Sequence, residues 1–288
     1  MLKDPYGRPL TELRISVTHT CNYRCIFCHR EGINDSPKEI SVHEWEKIFQ
    51  AAKELGIRKI KITGGEPLLY PQIVEFVQTA KKYFEEVSLT TNGYYLQEYA
   101  KKLKDAGIDR INVSLHTLND NVYEKITGVK ALPKVIKGVE SAISHGIFVK
   151  INVLILNGFN EGEVKSFIKF ARERNVNIQF IEYEPLLGLD KRYHISLEYI
   201  EKMLEKEAIA IKIKRRHFKK SYLLPPWIDV LRTWHSKEMC LGCTRLRVLP
   251  DGSIIPCIYR GNERVFMDFN NPQKSIIKAN NLRRPYWG

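Results

Sequence analysis

Long apolar runs are missing from this chain of 288 residues. Its longest purely aliphatic stretch is residues 153–156, slightly more if Ile151 is counted across Asn152. A membrane span needs ~20 apolar residues. The first residues, Met1-Leu2-Lys3-Asp4-Pro5, contain no apolar segment of the signal-peptide kind. The expectation is therefore a cytoplasmic protein with no membrane partner. Acidic residues are outnumbered, 33 against 46 basic, which leaves a formal charge of +13. That sign favours an anionic partner, a polyphosphate or a nucleic acid, without choosing between them. For most individual lysines a solubilising surface is the plainer account. No low-complexity segment or internal repeat stands out. Cysteine is scarce, six residues in all, yet grouped as two triplets with none left over. Cytosolic cysteines bind metal or do redox chemistry more often than they form disulfides. Hydrophobic residues make up 43% of the chain, so a sizeable core can form. The length suits one large α/β domain with an appendage, or two small domains.

A strand-then-helix rhythm runs through the first two thirds. Strand-like runs rich in Ile and Val fall at 13–18, 59–63, 87–90, 110–115, 149–155 and 178–182, as in buried parallel strands. Ser41 with Glu44 predicts a capping box opening a helix to Leu55. Pro71 suits the first turn of a helix carrying Ile73, Val74, Phe76, Val77 and Ala80. Further helices are predicted over 96–106, stopping at Gly107, and around Val135, Val139 and Ala142, stopping at Gly146. Two more are predicted over 160–174 and 196–207. Six strands alternating with helices imply a parallel sheet with right-handed crossovers. A full eight-unit barrel usually takes ~250 residues. The six units here end near residue 207, so the expected fold is α/β, a partial (β/α)6 TIM-like barrel over 1–207. From Ala208 the character changes. Residues 209–214 alternate like a half-exposed strand, and Asp251-Gly252 marks a hairpin. Residues 208–288 are expected as a small C-terminal α+β domain carrying the second cysteine triplet.

Cys21, Cys25 and Cys28 form a C-x3-C-x2-C loop after the first strand. Three thiolates on one tight loop suit three irons of a [4Fe–4S] cube, leaving the fourth iron open to a small molecule. The alternative is a structural zinc site closed by His29 or His19, although C-x3-C with an aromatic before the last cysteine is unusual for zinc. Other strand ends are equally distinctive. Thr63-Gly64-Gly65-Glu66-Pro67 follows the second strand, Thr90-Thr91-Asn92-Gly93 the third, and Ser114-Leu115-His116 closes the fourth. In a barrel of parallel strands these ends converge on one mouth, where active sites sit. Gly64 and Gly65 let the backbone approach a ligand closely. Each motif alone is an ordinary turn; together, beside a three-cysteine loop, they form a site.

The cysteine loop with Phe27, the G-G-E-P and the T-T-N-G resemble the radical S-adenosylmethionine superfamily. The resemblance implies that the open iron binds the amino and carboxylate groups of S-adenosylmethionine. An electron from the cluster then yields a 5′-deoxyadenosyl radical. It also implies cofactor contacts for Phe27 near the adenine, for Gly65 near the methionine moiety, and for Ser114.

The second triplet, Cys240, Cys243 and Cys257, reads C-x2-C-x13-C. A zinc site completed by His235 or His217, or unrelated buried cysteines, are the alternatives to a second [4Fe–4S] cluster. A second cluster with its own open iron accounts better for six cysteines in two triplets. Arg245 and Arg247 share one face of a strand, with Leu246 and Val248 opposite. Arg14 stands likewise between Leu13 and Ile15. Lys61 and Lys150 also sit within predicted buried strands. Buried cations need anionic partners, and several aimed at one cavity point to a polyphosphate, unless internal acids such as Glu66 or Glu182 neutralise some of them.

Nearly the whole chain resembles the GTP 3′,8-cyclase family of molybdenum-cofactor biosynthesis. The match begins with Asp4-x-x-Gly7-Arg8 and Leu13-Arg14-Ile15-Ser16-Val17-Thr18. It continues through Cys240-x2-Cys243-Thr244-Arg245-Leu246-Arg247 and Asp251-Gly252 to Pro256-Cys257. The resemblance implies two [4Fe–4S] clusters and S-adenosylmethionine as cofactors, GTP as substrate, a reductant, and a downstream cyclic pyranopterin monophosphate synthase. It leaves a homodimer open. In that family the second cluster's open iron holds guanine, cations hold the triphosphate, and a ribose C3′ radical attacks guanine C8. Carried over, Arg14, Lys61, Thr90, Lys150, Arg245 and Arg247 become GTP contacts. The chain departs from the pattern in four places. His116 stands where the family has aspartate, Gln179 where an arginine is usual, and Glu184 where a methionine is expected. The tail ends Tyr286-Trp287-Gly288 rather than in two glycines.

The nearest alternative is a radical enzyme acting on a peptide or another small molecule. Many such enzymes carry larger C-terminal cysteine sets, unlike the three cysteines and arginine pair here. A basic metal-binding nucleic-acid module is the alternative of another class, invited by the net charge and by residues 212–220. Against it, Arg245 and Arg247 adjoin cysteines rather than a long basic groove, and the lysine run reads as a protected strand edge. No nucleic-acid partner is expected. Trp227 and Trp234 read as packing residues.

Overall fold

The computed structural model of the chain describes residues 1–32, 38–185, 189–214, 219–233 and 237–285. Period-two alternation decides which side chains enter the middle of the molecule. β1 (Glu12–Ser16) buries Leu13 and Ile15 on the helix side and turns Arg14 the other way, into a cavity. β5 (Phe148–Ile155) repeats the device. Val149, Ile151, Val153 and Ile155 are buried, while Lys150, Asn152 and Leu154 line the cavity. β2 (Lys59–Thr63), β3 (Glu86–Thr91), β4 (Arg110–Ser114) and β6 (Asn177–Glu182) complete the six expected strands.

Helices cover the apolar face. α1 (Val42–Glu54) opens on the expected capping box. Ser41 Oγ accepts from Glu44 N at 3.3 Å, and Ser41 N donates to the Glu44 carboxylate at 2.8 Å. Its Trp45 and Phe49 pack edge-on against Phe76 of α2 (Ile73–Lys81). α3 (Leu96–Asp105), α5 (Leu132–Ser144), α6 (Val164–Arg174) and α7 (Glu198–Glu207) follow as predicted to within a few residues. The periodicity did not predict α4 (Asp120–Thr127). Asn119 Oδ1 caps it by accepting from Asn121 N and Val122 N, and Gly128 ends it at φ +77. Its eight residues make too few turns to show an apolar stripe. No described helix is long and apolar enough to cross a membrane.

Strands β1 to β6 pair in chain order, all parallel. The segment after residue 207 extends this sheet at both edges. β9 (Trp227–Leu231) pairs parallel with β6, and antiparallel β8 (Lys219–Leu223) and β7 (Ala210–Lys214) follow. At the opposite edge β10 (Arg245–Val248), reached through α8 (Lys237–Leu241), pairs parallel with β1. The expected turn at Gly252, φ +78, leads into β11 (Ile254–Ile255), antiparallel to β10. α9 (Pro272–Asn281) then packs against α1. The order β11-β10-β1-β2-β3-β4-β5-β6-β9-β8-β7 is an open barrel with β11 and β7 as its edges. As expected, β7 is a solvated edge, and Lys212 lies over the Trp227 ring.

Candidate active site

The loop after β1 carries the first cysteine triplet, and its backbone is sewn to the neighbouring strand ends. Gly65 N donates to Thr18 O at 2.7 Å and Glu66 N to Thr20 O at 2.8 Å. A Cβ at Gly64 would lie 2.7 Å from Thr18 O, and one at Gly65 would lie 2.2 Å from Thr20 O. Close passage of the cysteine loop itself therefore requires both glycines. Glu66 ties the rim together. Its carboxylate accepts from Thr91 Oγ1 at 2.6 Å, Asn92 N at 2.7 Å and Leu68 N at 3.0 Å, and burial pushes it up to about 7. Asn92 Nδ2 donates to Asn22 Oδ1 of the cysteine loop at 2.8 Å. Arg24 N and Ile26 N donate to the carbonyls of Thr127 and Ile126, so α4 supports the loop from its far side.

Within this loop the thiols oppose one another's ionisation. Burial, with Cys28 and Cys21 adding, pushes Cys25 up to about 12, and burial raises Cys21 as well. Cys21 and Cys28 are exposed at the mouth. Among the described residues no three such side chains are already gathered around one point, but three thiols on one short loop that feel one another's charge are a donor set that suits a [4Fe–4S] cluster.

Below the mouth lies a cavity of about 560 Å³. Phe27 and Ser114 line it, as do Arg14, Lys61, Thr90, Lys150, Arg245 and Arg247. Gly65 and the cysteines lie outside its lining. Phe27 packs edge-on against His116, ring centroids 4.7 Å apart. His116 Nδ1 accepts from Leu154 N at 3.0 Å, and burial lowers the ring to about 4, so it is neutral.

Two carboxylates organise the cations. Glu31 accepts from Arg14 Nη2 at 2.7 Å and from Arg14 Nε at 3.2 Å, and it also pairs with Arg247. Although burial works against its charge, Arg14 and Arg247 hold Glu31 well below the usual carboxylate range. Asp229 on β9 pairs with Lys150, with Lys219 at 2.7 Å and with Lys214 at 2.9 Å, and accepts from Ser221 Oγ. Burial and the neighbouring Lys219 lower Lys150 to about 7 despite Asp229. Burial also holds Lys61 well below the lysine range, opposed by Glu12. Arg245 Nε lies 3.9 Å from Glu12. The acids anticipated for these cations, Glu66 and Glu182, serve elsewhere. Glu66 faces hydroxyl and amide donors, and Glu182 pairs with His194 and Arg232.

The second triplet borders the cavity from another side. Met239 and Ile258, neighbours of Cys240 and Cys257, line it, much as Phe27 does beside Cys28. Cys243 N donates to Cys240 O at 3.1 Å, closing a tight turn. Burial raises the Cys243 thiol, but Arg245, Arg283 and Arg8 together bring it below its ordinary value. Burial raises Cys257, opposed chiefly by the Tyr259 backbone and Arg247. Thiols beside guanidinium groups suit an anionic iron–sulfur body.

Residues 15–171 match the Radical SAM superfamily. A protein of Thermococcus kodakarensis named "Probable GTP 3′,8-cyclase" is 40% identical over 308 residues, covering 100% of both chains. One of Archaeoglobus fulgidus with the same name is 39% identical, covering 100% of this chain and 99% of the relative. This chain belongs to the GTP 3′,8-cyclase family. The superfamily works with a [4Fe–4S] cluster and S-adenosylmethionine. Among solved structures, the fold is similar to that of Streptococcus suis SuiB bound to precursor peptide SuiA, with a TM-score of 0.76 and 18% identity over 96% of this chain and 67% of that one. It is also similar to anSMEcpe with bound AdoMet, with a TM-score of 0.67 and 16% identity over 95% and 79% of the two chains. At those identities the likeness is one of fold, and it agrees with the partial barrel.

Three of the four departures from the cyclase family's pattern face the cavity: His116, Gln179 and Glu184. Gln179 Oε1 accepts from Lys219 Nζ at 2.8 Å, and Glu184 accepts from Tyr259 OH. The tail Tyr286-Trp287-Gly288, and His217, Trp234 and His235, lie outside the described residues. Sequence reasoning missed Glu31, Asp229, Lys214 and Lys219. For Asp229 a signal existed: one acid in the centre of Trp227-Ile228-Asp229-Val230-Leu231, flanked by buried Ile and Val.

Proposed function

We propose that the chain converts GTP to 3′,8-cyclo-7,8-dihydro-GTP. In this reading Cys21, Cys25 and Cys28 hold the cluster that works with S-adenosylmethionine. Cys240, Cys243 and Cys257, in the 208–288 unit, hold a second [4Fe–4S] cluster that takes the guanine. The single observation that carries the reading is a cation-lined cavity bordered by both cysteine triplets. When bound, the first cluster and S-adenosylmethionine supply the radical that removes hydrogen from ribose C3′.

The chain's own residues do the rest. Arg14, Lys61, Lys150, Arg245 and Arg247 hold the triphosphate, whose oxygens replace Glu31 as partner of Arg14 and Arg247 and Asp229 as partner of Lys150. Phe27 against neutral His116 forms an apolar wall on the cofactor's side that keeps water from the reacting carbon. Ser114 and Thr90 offer hydroxyls from adjacent strands to the cofactor and the nucleotide. A C3′–C8 bond forms, and one electron and one proton, supplied through a reductant, complete a product isomeric with GTP. That product is the substrate of a downstream cyclic pyranopterin monophosphate synthase.

The test is an anaerobic assay of reconstituted protein with dithionite and S-adenosylmethionine, with and without GTP. GTP-stimulated 5′-deoxyadenosine together with an isomer of GTP is expected. 5′-Deoxyadenosine with GTP untouched would retain the radical chemistry and overturn the substrate.

A further inference from the structure

The N-terminal motif Asp4-x-x-Gly7-Arg8 lies outside the cavity lining, yet its charged side chains are buried, Asp4 at 0% and Arg8 at 6% exposure. It folds as a tight turn in which Gly7 takes φ +76, a conformation that favours glycine. Asp4 Oδ1 accepts from Tyr6 N and Arg8 N, each at 3.0 Å, and Oδ2 accepts from Arg8 Nε at 2.7 Å. The carboxylate thus aims the Arg8 guanidinium. Arg8 Nη1 then donates to the carbonyl oxygen of Cys240 at 2.9 Å. Arg283, 1% exposed and just beyond α9, approaches the same loop. Its Nη2 donates to the carbonyl oxygen of Cys243 at 2.6 Å and lies 3.5 Å from Asp4 Oδ2. Its Nη1 donates to Asn280 Oδ1 at 3.0 Å, and Asn280 Nδ2 donates to Lys3 O at 2.9 Å. The N-terminal motif and the segment around the end of α9 therefore close around the C-x2-C turn.

Among the described residues, two buried guanidinium groups against one carboxylate leave a positive charge uncompensated. Apolar packing would hold a loop with less desolvation cost. The nearby groups able to balance that charge are the thiolates of the loop. A cube held by three thiolates is a net anion that gains further negative charge on reduction.

We propose that Asp4, Arg8 and Arg283 are the positioning residues of the second cluster. They fix the carbonyls of Cys240 and Cys243 so that both thiolates face one cube, and they place a positive charge behind it. This rests on the second-cluster reading above. The full chain is reconstituted anaerobically, and iron, sulfide, the electron paramagnetic resonance of the reduced protein and thermal unfolding are measured. About eight irons per chain are expected for the unaltered protein and about half that for Arg8→Gln and Arg283→Gln. Both variants are expected to keep basal cleavage of S-adenosylmethionine, and Cys257→Ser is the reference for loss of the second cluster alone. Where a Gln variant retains the cluster, its midpoint potential falls relative to the unaltered protein.

Gln variants with full iron and an unchanged potential would overturn the clamp. Should the Gln variants not fold, Arg283→Lys, which keeps the charge but loses the two-armed geometry, is read instead. Loss of the second signal there supports the clamp, and an unaltered signal overturns it. About four irons in the unaltered protein would overturn the second-cluster reading and the clamp with it. GTP cyclisation with full iron and an unchanged potential in both Gln variants would overturn the clamp alone.

Discussion

The two charged walls of the cavity gather cations by different means. On the β1 and β10 side, two guanidinium groups, Arg14 and Arg247, share Glu31. On the side of β5 and of β7 to β9, three ammonium groups, Lys150, Lys214 and Lys219, share Asp229. A guanidinium keeps its charge when buried, whereas an ammonium gives up its proton readily. Burial opposes the charge of Arg14, but Glu31 raises it above the ordinary arginine value, while Lys150 drops to about 7. One wall is permanently charged and the other conditionally. Their counter-ions also differ in footing. Glu31 sits in a short turn with φ +55, beside Arg30 with φ +46, backbone that non-glycine residues adopt only at some cost. Asp229 sits mid-strand, in register with Gln179 of β6. A loop carboxylate withdraws from its arginines more easily than a strand carboxylate leaves its lysines, so under the proposed function the arginine wall is the one expected to exchange its partner for phosphate.

The largest effects should fall on stability. Removing one member of a buried ion pair costs about 3–5 kcal/mol. Asp229→Asn is expected to approach that cost, since three lysines lose one carboxylate. Glu31→Gln is expected to cost less, because its turn can relax. Thermal unfolding without ligand measures both, and equal losses would break the contrast between the two counter-ions. Next come the cations themselves. Charged hydrogen bonds contribute about 1.5–3 kcal/mol, so Arg247→Ala is expected to weaken GTP binding by about 10- to 100-fold. Lys219→Gln, which removes a cation whose charge burial disfavours, is expected to weaken it tenfold or less. Equilibrium binding to reconstituted protein decides between them, and a larger loss for Lys219→Gln would reverse the assignment of permanent and conditional walls.

Much of this site is legible in the sequence, and the part that is not has a definite physical cause. Strand periodicity places Arg14, Lys61, Lys150, Arg245 and Arg247 on interior faces, because alternation is local and each strand carries its own apolar side. The G-G-E-P and T-T-N-G motifs converge with the cysteine loop because Glu66 bonds to both Thr91 and Asn92. The counter-ions are another matter. Asp229 meets Lys150 only because β9 returns to pair with β6, and Glu31 meets Arg247 only because β10 pairs with β1. Those pairings join segments far apart in the chain, at both edges of one sheet. Without them Glu66 and Glu182 look like the nearest internal acids. α4 escaped notice for the opposite reason, being too short for a periodic stripe, although Asn119 and Gly128 mark both of its ends.

The finest distinction between the walls is their response to pH. With Lys150 lowered to about 7, its ammonium is charged below neutrality and mostly neutral above it in the free protein. A bound triphosphate favours the charged form, so binding takes up a proton and affinity should fall as pH rises from 7 towards 9. The arginine wall does not titrate in that range. GTP itself loses a phosphate proton near pH 6–7, so the informative quantity is a ratio. Lys150→Arg keeps a cation at the position throughout, and the ratio of its affinity to that of the unaltered protein should increase as pH rises through 7–9. The same shift acts on stability with its own sign. The unfolded chain holds the Lys150 proton up to ~10.4, and the folded chain releases it near 7, so the unfolded state binds more protons between those values. For this group stability without ligand rises with pH across that window. A pH-independent affinity ratio, with ligand-free stability flat from 7 to 10, would mean that Lys150 stays charged beside Asp229, and both walls would then be permanent.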